Sequence, residues 1–237
     1  YGVPMTMNFS MMHYRVDVLV GLESSVPETW DDLLALLPVL QANNLSAGVL
    51  GVFNTMLYQR KNDDPNSSTS KGTASMWRYE DTSIYDGVYA GAQIGLDSNA
   101  ALDVFQYYCR LFTDYSFPYQ YDAANRFRTG EMPIIIGDYV SVYNQLTVFA
   151  TEIDGLWEFS SVPGTRADDG TLNYDSIAAD TNLVIPYSKT RSQKTLAEAW
   201  EFIKWNAGEE AEAEYGNRMV ALIGPSAKYA VANMKAI

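Results

Sequence analysis

"NRFRTGEMPIIIGDYVSVYNQL", residues 125–146, reads as strand, turn and helix in succession. Met132–Ile136 is a short apolar run of strand length. Gly137-Asp138 breaks it, and Tyr139 opens a segment that continues as a helix. In open α/β sheets ligands bind outside the carboxyl ends of strands, beside helix N-termini. The Asp138-Tyr139 corner therefore has three readings: a ligand contact, a catalytic position, or a plain helix cap, for which Asp is among the best residues.

Outward from this corner, strands and helices alternate, which predicts an α/β fold. Upstream, Gly2–Thr6 is strand-like, and "SMMHYRVDVLVGL" keeps that character through His13-Tyr14. In "SSVPETWDDLLALLPVLQANN", Thr29 with Asp32 predicts a capping box, and Asp31 and Asp32 suit the positive end of the helix dipole. Leu33, Leu34, Leu36 and Leu37 form that helix's apolar face. Pro38 is expected to kink or divide it, and Asn43-Asn44 to end it. Residues 47–58 offer a short strand and a helix start near Asn54. The Ser/Thr/Gly/Asp-rich stretch from Arg60 to Gln93 reads as a long excursion with a hairpin around Met76–Tyr79. Its acidic residues lack calcium-loop spacing.

Asp97-Ser98 predicts a cap for the helix carrying Cys109, in which Leu102, Phe105, Cys109 and Phe112 share a helical stripe and form the expected buried face. Downstream of the corner, Leu156–Val162 alternates as a strand with Trp157 and Phe159 on one face. "PGTRADDGTLNYD" reads as a loop and Asn182–Pro186 as a strand. Thr195–Trp205 reads as an amphipathic helix with Leu196, Ala199, Trp200 and Ile203 as its stripe. A last helix runs from about Glu209 to Val220, before Gly224-Pro225 breaks it. Trp157 and Trp200 are both expected in the core.

Composition narrows the function classes. At 237 residues the chain is long enough for one large domain or two small ones. The net charge of −13 repels phosphate backbones, and no basic cluster offsets it, so nucleic acid is not an expected partner. The acidic run "GEEAEAEYG" (208–216) reads as a solvated helix face. No apolar stretch reaches the roughly 18 residues of a membrane span. The single Cys109 leaves no internal disulfide and reads as a buried thiol rather than a nucleophile. With one His, His13, and one Cys, a closed zinc site and a Ser-His-Asp triad lose most of their ingredients. No cofactor is expected. Tyrosine is abundant, at 17 residues, and joins a flat apolar face to a hydroxyl, which suits saccharide or peptide ligands as well as ordinary structure. The chain opens at Tyr1, and "YGVPMTMNF" reads as the middle of a longer sequence, so a missing targeting segment says nothing of compartment.

Five segments occur in order: "YGVPMTMNFSMMHYRVDVL", "VPETWDDLLALLPVLQANN", "NRFRTGEMPIIIGDY", "GLWEFSSVPGT" and "AWEFIKWNAGEEAEAEYG". Their order and spacing, with Phe127 to Pro133 the most specific piece, resemble the extracellular solute-binding proteins of ABC transporters, of the sugar-binding type that includes maltose-binding protein. The resemblance implies a periplasmic-binding-protein-like fold: two α/β lobes joined by crossing strands, with ligand held between them. It implies that residues 1–163 are mainly the ligand-binding second lobe. Residues 164–237 would be the crossing segment and part of the first lobe, whose opening part and closing helices lie outside this sequence.

The same resemblance implies a non-catalytic receptor that delivers a small molecule, a saccharide, to a membrane permease. It would work outside the cytoplasm, lipid-anchored at the surface as a lipoprotein or periplasmic. By position it implies ligand contacts at Asn8, Asp138 and Tyr139, with Phe53, Asn54, Tyr58 and Arg126 as further candidates. Each has a structural alternative: a turn for Asn8, a cap for Asp138, packing for Tyr139, a carboxylate partner for Arg126. Two other function classes remain open. One is a glycoside hydrolase recruiting a pair among Glu131, Asp138 and Asp180 at the roughly 5–10 Å separation such chemistry needs. The other is an interaction domain with no small ligand.

Overall fold

The structure, a computed structural model, describes residues 2–49, 51–60, 77–79, 92–94, 96, 98–167, 169–224 and 229–236. In chain order the elements are β1 (Val3–Arg15), α1 (Val16–Gly21), α2 (Trp30–Ala42), β2 (Ala47–Val49), α3 (Phe53–Gln59), β3 (Trp77–Tyr79), β4 (Ala92–Ile94), α4 (Asn99–Thr113), α5 (Ala123–Arg128) and β5 (Ile134–Asp138). There follow α6 (Tyr139–Phe149), β6 (Trp157–Ser161), β7 (Thr165–Arg166), β8 (Leu172–Asn173), β9 (Ala178–Leu183), α7 (Gln193–Asn206) and α8 (Glu209–Ile223). They form two compact units. The larger is Ser10–Gly137 with Ile153–Ile177; the smaller is Tyr1–Phe9, Asp138–Glu152 and Ala178–Ile237.

The larger unit is built on strands in the order β2-β5-β1-β6. β2 and β5 run parallel, Ala47 opposite Ile134 and Val49 opposite Ile136. The second half of β1 runs antiparallel to β6, His13 opposite Phe159. β2 is wholly buried and β5 is buried over Ile134–Ile136, which is why these strands read as continuous apolar runs. Gly48 is required by close approach: a Cβ there would meet the Met132 sulfur at 2.6 Å and the Tyr121 hydroxyl at 2.8 Å. Burial, with Tyr108 nearby, pushes the Tyr121 hydroxyl up to about 12.

Helices α2 and α4 supply most of the remaining core. The capping box at Thr29 forms in full, with the Asp32 amide donating to Thr29 Oγ1 at 3.1 Å and the Thr29 amide to Asp32 Oδ2 at 2.9 Å. Pro38 does not divide α2, which runs unbroken to Ala42; Leu36, Leu37 and Leu40 are buried on either side of it, and this packing offsets the lost backbone bond. The buried face of α4 is Ala100, Ala101, Val104, Tyr107 and Leu111. Most of the expected stripe is turned away from it: Leu102 and Phe105 are exposed and Cys109 is half-buried rather than in the core, while Phe112 does pack against the core. Both sets obey helical spacing, and only tertiary contact chooses between them.

Several buried polar groups in this unit are tied down. Trp30 Nε1 donates to Gln59 Oε1 at 2.7 Å, and Gln59 Nε2 donates to the carbonyls of Pro163 and Asp175, each at 3.1 Å. The Tyr107 hydroxyl donates to the Trp30 carbonyl at 2.6 Å, and burial raises its pKa well above the ordinary tyrosine range. Arg15 forks onto Asp17 through Nε (2.8 Å) and Nη2 (2.6 Å), while Nη1 donates to the carbonyls of Phe127 and Arg128. His13 is fully buried beside the rings of Trp157 and Phe159. The segment expected as a loop after Val162 contains the β7–β8 hairpin, closed by Gly170 at φ +84°. Trp77–Tyr79 pairs antiparallel with Ala92–Ile94; the rest of the expected hairpin and of the long excursion lies outside the described residues.

In the smaller unit, the first half of β1 pairs antiparallel with β9, Val3 opposite Leu183 and Phe9 opposite Ala178, with an irregularity between Pro4 and Thr6. β9 begins four residues before the expected Asn182. Its small and polar residues carry little strand signal, and the long-range pairing with β1 makes it a strand. α7 is capped by Ser192, whose Oγ accepts from the Thr195 amide at 3.1 Å. Asn233 secures the α7–α8 turn, its Nδ2 donating to the Ala207 carbonyl at 3.0 Å. Of the expected α7 stripe only Ile203 is buried. Leu196 is exposed, and Trp200 is 45% exposed rather than core.

Candidate functional site

The strand-to-helix corner takes the form expected of it. β5 ends at Asp138, which is the N-cap of α6; its Oδ1 accepts from the Ser141 amide at 2.8 Å. Capping thus occupies one carboxylate oxygen. Tyr139, in the first turn, is half-buried. Its ring stacks on Phe9, centroids 5.6 Å apart and planes 12° apart, and meets Tyr143 one turn on at 5.8 Å. Asn8 adjoins Phe9 on β1, half-buried, with its Oδ1 accepting from the Phe9 amide at 3.1 Å. All of these residues belong to the smaller unit.

Phe9 and Tyr143 are the members that sequence reading passed over. Tyr143 had a usable signal, lying four residues after Tyr139 on a helix and so on the same face. Phe9 had none, because its ring reaches Tyr139 only through the fold. Together the three rings form an apolar platform beside the Asp138 cap, while Asn8, the strand neighbour of Phe9, alternates to the other face of β1. Offset aromatic faces beside a few polar groups fit a ligand that has apolar C–H faces and hydroxyls.

The other four candidates lie in the larger unit. α3 presents Asn54 and Tyr58, one turn apart, on its exposed face, while Thr55, Met56, Leu57 and Gln59 are buried. Phe53 is half-buried and packs edge-on against Tyr108 at 6.0 Å. Arg126, in the last turn of α5, pairs with Glu131 at 3.3 Å. Of the carboxylates a hydrolase would recruit, Glu131 pairs with Arg126 and Asp138 caps α6. The Asp180 side chain lies outside the described residues. Among the described residues, no group of three or more His, Cys, Asp or Glu is arranged to hold a metal ion, and no helix is long and apolar enough to cross a membrane.

The sequence matches the family described as bacterial extracellular solute-binding protein over residues 1–236. The chain belongs to that family. No curated protein matches the sequence. Three solved structures resemble this solute-binding protein in fold. A Thermotoga lettingae ABC-transporter solute-binding protein bound with alpha-D-tagatose matches with a TM-score of 0.55 at 16% identity, over 92% of this chain and 52% of that one. Maltose-bound T. maritima MalE3 matches with 0.59 at 17% identity, over 99% and 55%. The GacH receptor of Streptomyces glaucescens GLA.O, solved unliganded and in complex with acarbose, matches with 0.56 at 14% identity, over 92% and 51%. The solute-binding protein therefore spans about half the length of these structures and shares their α/β fold.

Proposed function

We propose that this chain is part of an extracytoplasmic receptor that captures a saccharide and hands it to the membrane permease of an ABC transporter, with no catalysis of its own. The Asp138-Tyr139 corner carries the reading: a strand end meets a helix N-terminus there, beside the Phe9–Tyr139–Tyr143 rings. Membership of a solute-binding family supports it. The solved relatives bound with tagatose, maltose and acarbose favour a carbohydrate over other solutes. Tyr139 offers a ring face and a hydroxyl to the sugar, and Asp138 accepts through the oxygen not used in capping. Asn8, Phe53, Asn54, Tyr58 and Arg126 are further candidate contacts. Residues 1–163 are assigned mainly to the ligand-binding lobe, and lipid anchoring at the cell surface belongs to the same reading.

Tyr139→Ala tests the assignment. A saccharide panel screened by thermal shift supplies the ligand, and calorimetry its affinity. The alanine variant should bind about 1–3 kcal/mol more weakly, the scale of a lost buried aromatic contact, whereas Tyr139→Phe should keep most of the affinity. A Tyr139→Ala protein that binds normally when folded, yet melts as though it had lost a core aromatic (about 3–5 kcal/mol), would make Tyr139 a packing residue and remove it from the site. Hydrolysis of a glycoside, abolished by Asp138→Asn, would replace the receptor with an enzyme.

A further inference from the structure

The smaller unit contains a polar-aromatic cavity that saccharide capture leaves unused. It has a volume of about 390 Å³, and Met5, Trp205, Glu212, Tyr215 and Tyr229 are among the residues that line it. The rings of Tyr215 and Tyr229 meet at 4.6 Å, 51° apart. Trp205 is 64% exposed and stands at the solvent side.

Glu212 is the unusual member. It falls in the acidic run that reads as a solvated helix face, yet it is only 3% exposed. Its Oε2 accepts from the Asn233 amide at 3.2 Å. Its Oε1 is buried with no hydrogen-bond partner among the described residues. Arg218, which also lines the cavity, is committed to Glu214 at 2.8 Å. Among the described residues no other basic side chain lines the cavity, and the Glu212 charge contributes to raising the Tyr229 pKa, after burial itself. Leaving a buried carboxylate oxygen unpaired is costly, so a donor is expected to meet it. A single water, occupying about 30 Å³ in the liquid, would fill little of the space. Aromatic faces around an unshared negative charge select a cation that also has an apolar body. A hard metal ion would need more oxygen ligands than the one free carboxylate oxygen supplies.

We infer that this cavity binds a small organic ammonium, whose N–H donates to Glu212 Oε1 while its alkyl part lies against Trp205, Tyr215 and Tyr229. The inference is separate from the saccharide assignment and uses none of its residues. n-Butylammonium chloride is the probe, titrated by calorimetry against n-butanol and sodium chloride at matched ionic strength. Saturable binding of butylammonium, and of neither control, is expected. Glu212→Gln keeps an oxygen for the Asn233 amide and removes the charge. It should weaken butylammonium about tenfold or more, the scale of a lost charge-assisted hydrogen bond. Should that variant fail to fold, Trp205→Leu, at an exposed position, should still weaken binding several-fold. Equal binding of butanol or sodium, no saturable binding at millimolar butylammonium, or unchanged affinity in either folded variant would overturn the proposal.

Discussion

Helices α4 and α7 are near-twins in local design and opposites in packing. They have 15 and 14 residues, and each starts at a serine cap, Ser98 and Ser192. Yet α4 buries five residues against the larger unit, whereas α7 buries only Ile203. The two units repeat the contrast. The connected core, from Met12 through Val162, lies entirely in the larger unit. In the smaller one, Leu146, Ala150, Ile203 and Glu212 are the buried residues among those described. Trp200, Phe202, Trp205, Leu222 and Ile223 are exposed there. Capping satisfies helix-end donors wherever the residue type is right, but tertiary burial supplies most of a helix's stability in a protein. Local opening free energies should therefore differ, with α7 and α8 exchanging their amide hydrogens faster than α4.

The comparison is broken most directly by truncating one leucine in each unit. Leu33 has no exposed surface and Leu222 is 83% exposed. Leu33→Ala should cost about 2–5 kcal/mol of stability, since it removes buried methyl groups and leaves a cavity. Leu222→Ala should change stability by no more than about 0.5 kcal/mol. Chemical denaturation of both variants measures this. A comparable loss at Leu222 would mean that α8 is covered in solution, and the contrast between the units would fall.

The same contrast explains what could be read in the sequence. The Thr29–Asp32 box, the Ser98 cap and the Asp138 cap are set by residues within three positions of each other, so they were legible. So was the buried β5 strand, because burial on both faces leaves an unbroken apolar run. The buried face of α4 was not. Leu102, Phe105, Cys109 and Phe112 make as good a helical stripe as Ala101, Val104, Tyr107 and Leu111, and hydrophobicity favours the wrong one. β9 was displaced because Ala178–Leu183 is a strand only by virtue of β1. At the candidate site, Asp138 and Tyr139 were legible as a strand-to-helix corner. The stacking of Phe9 on Tyr139 joins residues 130 positions apart, and no local pattern announces it. Glu212 was hidden by its neighbours: four glutamates in six residues read as a wet surface, and only the α7–α8 packing with Asn233 buries one of them.

A smaller effect sharpens the comparison through polar burial. Gln59 is buried and uses its amide to join Trp30 with the carbonyls of Pro163 and Asp175. Gln59→Leu keeps the approximate volume and strands the indole N–H and both carbonyls. It should cost about 1–3 kcal/mol, the scale for leaving the buried indole N–H without a partner. The smaller unit's exposed pair, Arg218 with Glu214, should cost under about 1 kcal/mol when broken. Thermal melts of Gln59→Leu and Glu214→Gln compare the two. An unchanged melt for Gln59→Leu would mean that water replaces the lost amide.

The smallest effect expected is a pH dependence at Asp17. The Arg15 guanidinium donates to this carboxylate through two nitrogens, and those hydrogen bonds, the largest cause, hold its pKa below the ordinary aspartate value, although partial burial acts the other way. A carboxyl whose folded pKa is depressed contributes stability that is fully present above its unfolded value, near 3.8. That contribution is lost as pH falls through the folded pKa, because the folded state must then take up a proton it resists. The Asp17 side chain is 37% exposed, so solvent screens the pair and the contribution should stay below about 1 kcal/mol. Asp17→Asn should therefore be slightly less stable than the parent at neutral pH, and the gap should close below pH 3.8 as the parent's own carboxyl is neutralised. Urea melts of both proteins at stepped pH would measure the gap. A gap that stays constant to low pH would show that the substitution disturbs packing rather than charge, and that the fork from Arg15 contributes nothing through ionisation.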